Sequence, residues 1–169
     1  MDPWLNDMIV WMNGLSLGVA VRRSLWAIPA LATVHILAIG MVLSSVIMID
    51  LRVWGVSRSQ TLVQSAKRFT PWLWVGMVLL VVSGLGLTIS QARRTLLDPS
   101  FHIKMVLMMV AIFVTVGFQV AVVRKSEEWS ADQRSRLAAG LLAAVTLILW
   151  IAVTLAGRGR WMGTFFSIR

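Results

Sequence analysis

Four apolar runs constrain this chain more than any other feature. They lie at about Leu25–Ile49, Trp72–Ser90, Phe101–Val123 and Leu137–Ala156. Each is long enough to cross the hydrocarbon core of a bilayer, which takes ~20 residues of helix. None alternates apolar and polar residues as a barrel strand would. Composition agrees: 58% of the 169 residues are hydrophobic and 14% are charged, where an ordinary soluble domain carries ~25% charged residues. Mean hydropathy is +0.80. So few charges cannot cover the surface of a soluble fold of this size. A soluble enzyme, a disordered chain and a disulfide scaffold are therefore excluded. Cysteine is absent, which removes thiolate metal sites, iron–sulfur clusters and a cysteine nucleophile.

The borders of the runs carry turn and charge signals. Asp50 and Arg52 close the first, and Thr70-Pro71 opens the second. Asp98-Pro99 opens the third as an N-cap followed by proline at the first helical position. Arg124-Lys125 close the third, and Gly157-Arg158 end the fourth. Ahead of the first run, Trp4, Met8, Trp11, Met12 and Leu15 share a helical face that Asn6, Asp7 and Asn13 avoid. This pattern predicts an amphipathic helix over about 4–20, lying in the membrane interface or equally packed against the bundle. No cleavable signal is expected, since no basic residue precedes Arg22. The connections, about 22, 10 and 13 residues by this reading, leave no room for a soluble domain. The expected fold is all-α: one integral membrane domain, an up-down bundle of four transmembrane helices with an N-terminal amphipathic helix. Trp26, Trp54, Trp72, Trp74, Trp129, Trp150 and Trp161 lie near the predicted helix ends, as an aromatic belt would.

The net charge is +9. No basic stripe with interleaved aromatics follows these charges, so the lipid bilayer, not nucleic acid, is the expected partner. Side A is defined as the side of the N-terminus and side B as the opposite one. Eight of the 16 basic residues then fall on each side, and the positive-inside rule does not orient the chain.

Only two histidines exist, His35 and His102. His35 sits about ten residues into the first run, ~15 Å deep at 1.5 Å per residue. An ionisable group at that depth is costly and has either a function or a hydrogen-bonded neighbour. An axial haem ligand, a metal contact and a quinone contact are the functional readings; a neutral imidazole bonded to a neighbouring helix is the structural one. His102 lies near side A, and the two histidines are expected to differ in depth by ~13 Å. That separation opposes a single haem bridging both. Arg22, Arg23, Arg93, Arg94, His102, Lys104, Arg158 and Arg160 gather on side A. From this set Arg94 and Arg158 are candidates for haem propionates, and Lys104 reads as a snorkelling flank residue. His102, Met105 and Met109 share one helical stripe, so a Cu(I) site, with His35 deeper on the path, is the metal alternative. Ser83-Gly84-Leu85-Gly86, with Gly76 and Thr88, forms a small-residue surface for close helix packing or for a flat cofactor. Asp50 is expected to pair with Lys67 or Arg68. No paired carboxylates, serine–histidine arrangement or phosphate loop occurs.

Several segments, in order, carry a resemblance. They are Trp26-Ala27-Ile28-Pro29, His35, Asp50-Leu51-Arg52-Val53-Trp54-Gly55, Pro71-Trp72-Leu73-Trp74-Val75-Gly76 and Ser83-Gly84. Asp98-Pro99-Ser100-Phe101-His102-Ile103-Lys104 and Trp150 through Gly157-Arg158 follow. The chain resembles a family of uncharacterised bacterial four-helix integral membrane proteins. It is distantly similar to the membrane domain of copper resistance protein D and to b-type membrane cytochromes. The resemblance implies the same bundle in the bacterial inner membrane, and haem or copper handling. Such families carry an asparagine, and often a further histidine, late in the third helix. Here that segment reads Gly117-Phe118-Gln119-Val120-Ala121 and supplies no such ligand.

These readings converge on a small membrane protein holding haem b for electron transfer, alone or as the membrane subunit of a redox complex. His35 is then an axial ligand and His102 a second ligand or near-site group. The alternatives are a copper-handling protein and a non-catalytic assembly or lipid-binding subunit. A redox partner protein is expected for the first reading, and self-association into a homo-oligomer is compatible with so small a bundle.

Overall fold

A computed structural model describes residues 3–56, 61–131 and 133–157, with the side chains of 123 and 125–131 left out. Every regular element among them is helical. α1 (Pro3–Gly14) and α2 (Ser16–Arg23) precede α3 (Ala27–Val53) and α4 (Leu62–Ser90). A short α5 (Ala92–Leu96) leads into α6 (Pro99–Ala131) and α7 (Gln133–Ala156). α3, α4, the Pro99–Val122 stretch of α6, and α7 are long and apolar enough to span a bilayer. Between 22% and 33% of each span is buried inside the chain. The remainder is apolar too: Ile36, Val82, Phe113 and Ile148 are all more than 60% exposed. Helices that are apolar all round need a nonpolar solvent. This is a multi-pass, four-helix membrane bundle.

The packing order closes a ring. α3 lies along α4, α6 along α7, α3 against α7, and α4 more sparsely against α6. The central core takes Ala38, Val42 and Val46 from α3 and Leu73, Met77 and Leu80 from α4. Ala111 from α6, with Trp150 and Val153 from α7, completes it. A second cluster toward side B joins Ile49, Ala66, Phe118, Val122 and Ala143. The small face of α4 is what brings α3 so close. A β-carbon on Gly76 would stand 3.0 Å from Met41 Cβ and 3.1 Å from Val42 Cγ2.

The helices run further than the apolar runs. α4 begins at Leu62, ahead of Pro71, which lies inside the helix. Its start is set by a capping box. Thr61 Oγ1 accepts from the Gln64 amide at 3.2 Å, and Gln64 Oε1 accepts from the Thr61 amide at 3.0 Å. α6 begins as expected: Asp98 Oδ1 accepts the Ser100 amide at 2.9 Å ahead of Pro99. α3 ends in a Schellman motif, with the Val56 amide donating to Leu51 O and the Gly55 amide to Arg52 O. Gly55 has φ +80° there, a conformation that glycine adopts without a Cβ clash.

Two expectations are corrected. The amphipathic segment is two helices broken at Leu15, and its packed face is not the tryptophan face. Leu5, Met8, Ile9 and Met12 pack on Ala92, Leu96 and Phe101, leaving Trp4 and Trp11 exposed. Trp150 is no belt residue. It is buried, and its indole N–H donates to Thr115 Oγ1 at 2.9 Å. Trp26, Trp54, Trp72 and Trp74 are exposed, as a belt requires. The Trp129 side chain and Trp161 lie outside the described residues. Replacing Gly76 with valine is expected to lower stability by about 1–3 kcal/mol through overpacking of the α3–α4 contact, measured by denaturation in detergent micelles.

Candidate functional site

Hydroxyl groups within the spans turn first to their own backbone. Ser44, Ser45, Thr88, Thr146 and Thr154 each donate to the carbonyl four residues earlier. Ser83 does so as well, donating to Leu79 O at 2.5 Å. That bond uses its only proton, so its oxygen remains an acceptor. His35 on α3 meets it there: Nδ1 lies 2.9 Å from Ser83 Oγ. With the serine proton given to Leu79 O, the contact is satisfied by the Nδ1–H tautomer, which turns Nε2 toward α6. Gly84 stands beside the ring, where a β-carbon would come within 3.3 Å of His35 Cε1. The serine orients the ring and the glycine leaves space at its edge.

Nε2 faces α6. Lys104 Nζ lies 3.5 Å from it, at the outer edge of hydrogen-bonding distance. Lys104 thus turns into the bundle instead of snorkelling outward. Among the described residues no carboxylate lies within ion-pair distance of its ammonium.

His35 and Lys104 both line a cavity of about 330 Å³ in the sparse seam between α4 and α6 on side A. Its apolar walls include Leu80, Val81, Leu85, Met105 and Met108. Its polar lining includes Thr88, Gln91, Arg94, Thr95 and Asp98. Two cations thus share the cavity with one carboxylate, and Asp98 is also engaged as the cap of α6. The electrostatic preference is for an anionic or electron-rich group. The volume falls at the lower end of the ~300–1,000 Å³ range of small-molecule pockets.

The candidate residues separate in space. His35, Arg94 and Met105 line this cavity. His102 is exposed, its Nδ1 3.3 Å from Asp98 O and its ring edge-on to Phe101. It does not line the cavity, so the His35–His102 pair is not assembled. Met109 is 51% exposed on the outer surface. Of the His102–Met105–Met109 stripe only Met105 lines the cavity with His35, and among the described residues no three His, Cys, Asp or Glu side chains gather for a metal. Arg158 follows the lining residue Gly157 and lies outside the described residues.

Sequence reasoning missed Lys104 and Ser83 as partners of His35. Lys104 carried one usable signal, its place inside an apolar run, and Ser83 carried its place in the small-residue face. Comparison with protein-family models, curated proteins and solved structures finds no match to this chain.

Replacing Ser83 with alanine is expected to cost about 1–3 kcal/mol by orphaning the His35 N–H. It should also mix the two imidazole tautomers, which nitrogen NMR of the ring reads directly.

Proposed function

We propose that this chain binds haem b and passes electrons within the bacterial inner membrane, alone or as the membrane subunit of a redox complex. The observation that carries the reading is His35, whose Nε2 lone pair faces a cavity while Ser83 holds Nδ1. Ligating histidines are characteristically held this way, with the second ring nitrogen donating to a fixed oxygen. The donor set fits a haem held by one imidazole. Gly84 leaves room at the ring edge, Leu80, Val81, Leu85 and Met108 supply apolar walls, and Arg94 matches a propionate. Lys104 Nζ, 3.5 Å from His35 Nε2, would have to swing aside for a ligand to bind that nitrogen. Bound haem supplies one-electron chemistry. The protein orients the ligand nitrogen, excludes water with its apolar walls and neutralises the carboxylates.

Absorbance spectra of the purified protein, oxidised and dithionite-reduced, test this reading. A Soret band that shifts on reduction is expected. It should vanish in His35→Ala, persist in His102→Ala, and weaken in Arg94→Gln through poorer haem retention. Absence of the band in protein made with ample haem overturns the proposal.

The small volume and the two cations favour a second reading, an anionic amphiphile with its head at Lys104 and Arg94 and its tail against the apolar wall. It predicts a co-purifying lipid, detected by native mass spectrometry, that is lost in Lys104→Met and Arg94→Gln variants free of any Soret band.

A further inference from the structure

Asp50 stands at the other end of α3, 15 residues beyond His35, or ~22 Å along the helix axis. It belongs to the inward face of α3, in line with Val42, Val46 and Ile49. It is 0% exposed, and neither carboxylate oxygen has a hydrogen-bond partner among the described residues. The expected pairing with Lys67 or Arg68 is not made; both of those side chains are exposed. The other cations at this end of the described bundle are Arg52 on α3 itself, Arg124 on α6, and Arg134 and Arg136 on α7. Arg52 is half-buried, with its Nε unpartnered, and the other three are exposed. None of them bonds Asp50. The core at this level is apolar, built from Ile49, Ala66, Phe118, Val122 and Ala143.

An unpaired carboxylate in such a place costs several kcal/mol. Something must therefore neutralise it, and the surroundings discriminate among cations. A Mg²⁺ or Ca²⁺ ion takes about six or more oxygen ligands, and no cluster of ligating side chains gathers here among the described residues. Among the described residues no basic side chain bonds it. A proton needs one oxygen only. A cleft of about 240 Å³, lined by Arg52, Val53, Thr61, Leu62 and Arg136, opens at the side-B end within one turn of Asp50 on the same helix, and Asp50 itself lies behind its lining.

We propose that Asp50 is a proton-binding site of the bundle, a carboxyl that takes up and releases one proton from the side-B end of the membrane. The step is a simple association of carboxylate and proton, with no electron transferred and no bond broken elsewhere. The site stands apart from the His35 cavity and does not depend on what occupies it.

Dicyclohexylcarbodiimide, an apolar reagent that attacks protonated carboxyl groups inside membranes, tests the proposal on the full chain in liposomes. The expected result is an adduct at neutral pH that peptide mapping places on Asp50. Its formation rate should fall about tenfold per pH unit once the carboxyl ionises. Asp50→Asn should abolish that adduct and Asp50→Glu should retain it. Mapping and the pH profile are read on the unmodified sequence, so the test survives a variant that fails to fold. No adduct on Asp50, or a rate unchanged from mildly acidic to alkaline pH, overturns the proposal.

Discussion

Inside a bilayer a polar group has no water to fall back on, so its partner must come from the chain. The hydroxyl of Ser83 meets this demand twice, giving its proton to Leu79 O and accepting from His35 Nδ1 at 2.9 Å. Much else in the site follows from that single bond. It ties α3 to α4 through a polar contact in an otherwise apolar seam. It selects one tautomer of the only deeply placed histidine, and so decides which nitrogen faces the cavity. Gly84, one residue further, keeps the ring edge clear. The pair Ser83-Gly84 thus combines an orienting acceptor with an absent side chain.

Much of the fold was legible in the sequence, because bilayer thickness acts on every residue of a span. The apolar runs, the Asp98-Pro99 start and the small face of α4 are direct readouts of solvent, capping and close approach. The helix ends were less legible. Apolarity marks the hydrocarbon boundary, whereas helices stop where caps and turns stop them. Thr61 and Gln64 form a capping-box signature well outside the apolar run, so α4 starts early and Pro71 becomes interior. Trp150 shows a different limit. Its place near a helix end suggested the interface, but Thr115 on the neighbouring helix offers the indole N–H a buried acceptor.

The candidate site was half legible. His35 declares itself as an ionisable group deep in a span. Lys104 does not, since a lysine near a helix end can turn outward to headgroups or inward to a neighbour, and only tertiary packing decides. His102 shares its helix and its end of the bundle, yet helical rotation places its ring on the outside. Asp50 was legible as a charge at a helix end, but its isolation was not. Basic residues nearby in sequence suggest pairing, but the structure buries the carboxylate inside the bundle and leaves Lys67 and Arg68 exposed.

The ring of helices is made of two tight hairpins, α3–α4 and α6–α7, joined by thinner contacts. His35 and Ser83 both belong to the first hairpin, and Lys104 to the second. The contact that orients the histidine is therefore complete within the first hairpin and needs nothing from the second. The cavity acquires its second wall only when the later hairpin docks. Orienting the ring and enclosing the cavity are thus tasks of different halves of the chain.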